Sequence, residues 1–156
     1  MKIILEGMFL MKISTKGRYA LRLMLDLAMQ PQGEYISLKD ISSRQNISGK
    51  YMEQIISQLT KAGYVRSARG ANGGYMLTHP AEYYTVGMIL RLAEGSLSPV
   101  ACLDSPENPC PRADYCVTLE VWVKLKKAVD DVVDHISLQR LVDRQKEIDA
   151  QMPKEG

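Results

Sequence analysis

The chain has 156 residues, 24% of them charged and 46% hydrophobic, with 20 Lys and Arg against 18 Asp and Glu. That length suits one small domain with an appended element, and no apolar run approaches the roughly 20 residues that a membrane-spanning helix needs, so a helical membrane protein is excluded. Charge is uneven: residues 11–80 carry ten Lys and Arg against four Asp and Glu, and residues 81–156 carry nine against thirteen, so the first half is the one suited to a polyanion.

Residues 1–10, MKIILEGMFL, imitate the start of a secretory signal, but Glu6 and Gly7 interrupt the apolar run and no small-residue cleavage site follows. They read as a disordered extension ahead of a start at Met11. From Lys16 to Met29, Tyr19, Ala20, Leu23, Leu27 and Ala28 recur at three- and four-residue steps, the spacing of one buried helix face. Ser14 or Thr15 can cap this first helix, and Pro31 with Gly33 ends it. A short second helix is predicted from Leu38 to Arg44, capped by Ser37, followed by a tight turn at Gln45 to Ile47.

Ser48 caps a third helix that runs to about Ala62, where Gly63 supplies a left-handed stop. Met52, Ile55, Ile56 and Leu59 form its buried face, leaving Lys50, Tyr51, Glu53, Gln54 and Ser57 on or near the other. Two short helices joined by such a turn make a helix-turn-helix. Two strand-like runs follow, Tyr64–Ser67 and Tyr75–Thr78, joined by ARGANGG. This is a hairpin with Arg66 on its first arm and Arg69 and Asn72 at its tip. In a winged helix such a tip reaches the minor groove or the backbone beside the recognition helix. Glycines at 70, 73 and 74 permit positive backbone angles and a close approach to a phosphate chain.

A fourth helix is predicted from Val86 to Ala93, then an irregular segment from Gly95 to Cys116 with four prolines. A long helix follows from Val117 to Ile136. Thr118, Trp122, Leu125, Val129, Val132 and Ile136 step along it as a heptad seam, and Val117, Val121, Ala128 and Val133 add a second apolar strip. Two strips let one helix pack on its own domain and on a partner, which favours a dimerisation helix. Ser137 caps a last helix from Leu138 to about Ile148. The fold class is mainly α: a winged helix-turn-helix at 11–80, then a sensor loop at 95–116 and dimerisation helices within 81–156.

The three cysteines, Cys102, Cys110 and Cys116, fall within fifteen residues of one another. An odd, clustered set argues against a secreted disulfide framework and for a reduced, cytoplasmic protein. Its thiols are then available to zinc, an iron–sulfur cluster or redox exchange. No phosphate-binding glycine loop, HExxH or GxSxG is present, and the chain has two histidines, so an enzyme is not expected. His79 and His135 read as surface or packing residues.

The stretch MKISTKGRYALRLMLDLA at 11–28, the run ISGKYMEQIISQLTKAGYVRSARGANGGYML at 47–77 and the cysteine loop before a Trp-containing helix resemble the bacterial winged-helix regulators that include IscR, NsrR and CymR. The resemblance implies a homodimeric regulator of transcription, a repressor, on double-stranded DNA with a partly palindromic operator. Half-sites about one helical turn apart go with such a dimer. By matching position it implies Ser48, Tyr51, Glu53 and Gln54 at the major groove and Arg69 at the wing, with Lys12, Lys16 and Arg18 on the DNA backbone. Glu53 is suited to accept from cytosine N4.

In IscR-type relatives three cysteines hold a [2Fe-2S] cluster, so the resemblance implies Cys102, Cys110 and Cys116 as ligands. The chain departs from that pattern in a longer first gap and in Leu119, which stands where those relatives carry a histidine. Glu120, Asp104, Glu107, Asp114, His135 or a residue of a second subunit are the candidates for the fourth position. The alternative is a cluster-free regulator of cysteine or sulfur metabolism of the CymR kind, controlled by a partner protein or a metabolite.

Overall fold

The computed structural model describes residues 12–153; the expectation for residues 1–10 lies outside them. Among these residues six α-helices and one hairpin follow in the order α1 (Thr15–Met29), α2 (Leu38–Gln45), α3 (Gly49–Lys61), β1 (Val65–Ala68), β2 (Gly74–Leu77), α4 (Val86–Glu94), α5 (Leu119–Val133) and α6 (Leu138–Gln151). Among the described residues no helix is long and apolar enough to cross a membrane.

Local chemistry sets most of the boundaries. Five helices open on a hydroxyl that accepts a backbone N–H three residues on: Ser14, Ser37, Ser48, Thr85 and Ser137. Ser14, rather than Thr15, caps α1. Asn46 takes the left-handed conformation between α2 and α3, with φ 51°, which Asn tolerates better than bulkier residues. Gly63 stops α3 at φ 76° as expected.

The core gathers Ala20, Leu23, Met24 and Leu27 of α1, Ile41 of α2 and the predicted α3 face of Met52, Ile55, Ile56 and Leu59. It crosses position 80 without a break, because Ala81, Tyr84, Ile89 and Leu138 belong to the same cluster. Tyr84 is fully buried, and its hydroxyl donates to the Tyr64 carbonyl at 2.8 Å while accepting the His79 N–H at 3.0 Å. That phenol pins the base of the hairpin to α4. The chain entering α6 is held beside it, with Val86 N–H donating to the Ile136 carbonyl and Leu138 N–H to that of Tyr84.

The hairpin pairs Val65 with Leu77 through to Ala68 with Gly74, so each arm is shifted by one residue from the periodicity expectation. Ile36, in the α1–α2 connection, adds a bridge to Tyr75 with 2.8 Å bonds in both directions. Gly74 allows this: its φ is +147°, and a Cβ there would lie 2.3 Å from the Ile36 carbonyl oxygen. Gly70 is also at positive φ, whereas Gly73 is not. What Gly73 supplies is space, since a Cβ would sit 2.3 Å from the Ala68 carbonyl oxygen.

The long helix is shorter than its apolar pattern suggests. It begins at Leu119 because Val117 and Thr118 form a turn after Cys116, and it ends at Val133, ahead of the chain reversal at Ser137. None of its residues is buried in the protomer. Trp122, Leu125, Val129 and Val133 are half-buried, whereas Val121, Ala128 and Val132 are exposed. Each of the two strips read from the sequence thus exchanges a member: Val132 belongs outside and Val133 inside.

Candidate DNA interface and cysteine loop

On α3, Lys50, Glu53, Gln54 and Ser57 are exposed, at steps of three, one and three residues. Those positions share one helix face, opposite the buried Met52, Ile55, Ile56 and Leu59. Ser48 spends its acceptor on the Tyr51 N–H at 3.3 Å and keeps its hydroxyl proton. Tyr51 is half-buried, with its ring edge-on to Tyr19 at 5.6 Å, so part of its role is to seat α3 on α1. Arg66, Arg69 and Asn72 are exposed on the wing. At the start of α1, Lys12 and Arg18 are exposed and Lys16 half-buried, with Arg18 donating to Thr15 Oγ1 at 3.0 Å.

Behind this surface lies a polar network that periodicity does not reveal. Asp26, on the inner side of α1, accepts from Arg44 Nη2 at 2.7 Å, Arg44 Nε at 3.1 Å and Gln45 Nε2 at 2.8 Å. Gln45 in turn accepts from Arg22 Nε at 3.0 Å, and the Arg22 guanidinium lies 5.4 Å from the Tyr19 ring centre. The end of α2, from which the turn to α3 departs, is thereby tied to α1. One sequence signal was available: Asp26 lies between Leu25 and Leu27 in an otherwise apolar stretch, and a buried carboxylate requires partners.

The fold and this surface are those of a winged helix, and the comparisons with known proteins agree. The model of the Rrf2 family, described as iron-dependent transcriptional regulator, matches residues 13–144. The chain belongs to the Rrf2 family of transcriptional regulators. Protein rrf2 of Nitratidesulfovibrio vulgaris is 45% identical over 120 residues, covering 76% of this chain and 79% of that protein. Among solved structures, CymR, the global cysteine regulator of B. subtilis, superposes with a TM-score of 0.70 at 39% identity, covering 85% of this chain and 97% of that one. T. potens IscR gives 0.72 at 40% identity, covering 92% and 93%. These Rrf2 relatives are regulators, not enzymes.

The segment that follows α4 in this Rrf2 chain carries two single-turn 3-10 helices, Ala101–Leu103 and Ala113–Tyr115, and otherwise irregular backbone. Cys102, Cys110 and Cys116 are free and half-buried. Cys116 Sγ lies 3.3 Å from Thr118 Oγ1. That hydrogen bond, and after it one from the Leu119 N–H, lower the thiol's pKa from its ordinary value; burial opposes them and the Arg112 charge adds to them. Among the described residues no three of His, Cys, Asp and Glu converge as a metal site.

Leu119 opens α5 half-buried and offers no donor atom. His135 follows the far end of α5, which at 15 residues is about 22 Å long, and its Nδ1 is within 2.7 Å of the Asp131 carbonyl. His135 and Cys116 of one protomer therefore stand at opposite ends of a helix. His79 stacks on Tyr83 at 4.0 Å, in keeping with a packing role. Asp104 accepts from Ser96 Oγ at 2.7 Å within the loop. The donor chemistry fits an iron–sulfur cluster: three thiols, one with its acidity raised, on a segment without long helices or strands to hold them apart.

Proposed function

We propose that this Rrf2 protein is a homodimeric repressor on a partly palindromic DNA operator, with its signal read at the cysteine loop. The observation that carries the DNA half is the division of α3 into a fully buried apolar face and an exposed face of Lys50, Glu53, Gln54 and Ser57, followed by a wing that exposes Arg66, Arg69 and Asn72. In this reading α3 enters the major groove, where Gln54 and Glu53 meet base edges. Arg69 meets the narrow minor groove, and Lys12, Lys16 and Arg18 neutralise phosphates. The second subunit covers the exposed strip of α5.

For the signal, we propose Cys102, Cys110 and Cys116 as ligands of a [2Fe-2S] cluster. When bound, such a cluster supplies a one-electron, oxidation-sensitive centre. The fourth ligand comes from a carboxylate such as Glu120, Asp104, Glu107 or Asp114, or from the second subunit, since Leu119 supplies none. A cluster-free reading of the CymR kind is favoured by one observation, Leu119 at the start of α5, which offers no donor atom where IscR-type relatives carry a histidine.

Iron and acid-labile sulfide assays with a visible spectrum, on protein purified without oxygen beside a Cys110→Ala variant, separate the two. Stoichiometric iron and sulfide, lost in the variant, are expected. A colourless, iron-free protein that still binds DNA would replace the cluster with control by a thiol, a partner protein or a metabolite.

A further inference from the structure

Glu94 is the last residue of α4, immediately before the cysteine loop, yet its side chain serves α1. Its Oε1 accepts from the Ser14 N–H at 2.9 Å and from the Ser14 hydroxyl at 2.6 Å. Ser14 Oγ itself accepts from the Gly17 N–H at 3.3 Å, so the carboxylate completes the cap of α1. A negative charge belongs there, because unpaired N–H groups give a helix N-terminus positive potential.

The contact depends on Gly17. A Cβ at that position would lie 2.2 Å from Glu94 Oε1. Glycine is a poor residue inside a helix, and the seat it leaves for the carboxylate is a reason for its presence. Beside this contact is a cavity of about 450 Å³ whose lining includes Lys12, Ile13, Glu94, Leu97, Ala128 and Val132. The start of the cysteine loop, the basic end of α1 and the exposed strip of α5 thus meet at one place, and Glu94 supplies the hydrogen bonds between the first two.

We propose that Glu94 is a positioning residue that holds Lys12, Lys16 and Arg18 in place for DNA and transmits changes in the cysteine loop to them. The inference rests on the DNA-binding and sensor readings above. The route is short: the carboxylate's own backbone joins the loop at Gly95, a residue at φ +81°. A rearrangement that rotates Gly95 withdraws Oε1 from Ser14, and the first turn of α1, which carries Lys16 and Arg18, loses the carboxylate that steadies its Ser14 cap.

The test uses a duplex recovered by the wild-type protein from a random-sequence pool. Its binding is measured across salt concentrations for wild type, Glu94→Gln, Glu94→Ala and Gly17→Ala, before and after alkylation of the thiols with iodoacetamide. Glu94→Ala and Gly17→Ala are expected to bind about tenfold more weakly, with a salt slope shallower by about one for each phosphate that is no longer neutralised. Glu94→Gln keeps an acceptor oxygen but not the charge, and is expected to fall between wild type and Glu94→Ala. Alkylation is expected to change wild-type affinity and to leave Glu94→Ala unmoved.

A Glu94→Ala protein with wild-type salt dependence, whatever its melting temperature, would overturn the positioning role. A wild-type protein that binds but ignores alkylation, or a Glu94→Ala protein that responds as wild type does, would overturn the transmission. Failure of the wild type to enrich any duplex would sink the DNA-binding reading and this inference with it.

Discussion

Asp26 and Arg44 form a two-point ion pair that joins α1 to the end of α2, with Nη2–Oδ1 at 2.7 Å and Nε–Oδ2 at 3.1 Å. The aspartate side chain is 3% exposed and the arginine 41%. Such pairing adds little over a well-packed apolar pair, but removing one partner strands the other. Arg44→Met leaves the carboxylate with Gln45 alone and is expected to destabilise the fold by about 2–4 kcal/mol. Asp26→Leu with Arg44→Met is expected to cost less than Arg44→Met alone. Urea unfolding of the single and double variants checks the order, and a more stable single variant would remove the pair's importance.

The wing and the recognition helix are expected to fail in different ways. Arg69→Ala should weaken binding most on duplexes with a narrow minor groove beneath the wing, without discriminating at any single base, and reduce the salt slope by about one per subunit. Gln54→Ala should leave that slope unchanged and cost about 1–3 kcal/mol against the preferred base at one operator position. Anisotropy titrations on the selected duplex and on single-base variants of it distinguish the two.

The exposed apolar strip of α5 should set the oligomeric state. Val121 and Val132 are 54% and 58% exposed in the protomer, so a charge there leaves the protomer's own packing intact. Val121→Lys with Val132→Lys should convert a dimer to a monomer in sedimentation equilibrium with an unchanged helical signal. A dimer that survives the pair of lysines would place the subunit contact elsewhere.

Acid should loosen α5 from α4 through Asp130. Burial pushes the pKa of this carboxyl up, but hydrogen bonds from Lys126 at 2.6 Å and Arg91 at 2.7 Å outweigh that effect, leaving it below its ordinary value of 3.8. A group with a depressed folded value stabilises the fold above its unfolded value and loses that contribution as pH falls through the folded one. The contribution is therefore intact at neutral pH and disappears below 3.8. Asp130→Asn should lower stability at pH 7 and flatten the acid limb of the stability–pH curve. An acid limb identical to wild type would show that the clasp contributes nothing there.

Part of the candidate site was legible in the sequence. The exposed face of α3 followed from its complement, because four buried apolar residues at helical spacing leave one set of positions facing outward. The wing followed from its glycines. Asp26, Gln45 and Glu94 were not legible as a set, since a polar residue's partner has no sequence periodicity. Which strip of α5 turns inward was ambiguous for a related reason: both strips are apolar, so hydrophobicity alone does not choose between Val132 and Val133.

The sequence by itself determined the features that depend on a few neighbouring residues. These are the hydroxyl caps at Ser37, Ser48 and Ser137, the stop at Gly63 and the buried stripe of Met52, Ile55, Ile56 and Leu59. Each acts over about one helical turn, so the chain need not be folded for it to be read. Only the tertiary structure decided that Glu94 meets Ser14, 80 positions away, that Asp26 meets Arg44 and that Ile36 pairs with Tyr75. Those meetings depend on how packed helices cross and on the space left at Gly17 and Gly74, which exist only once the core has closed.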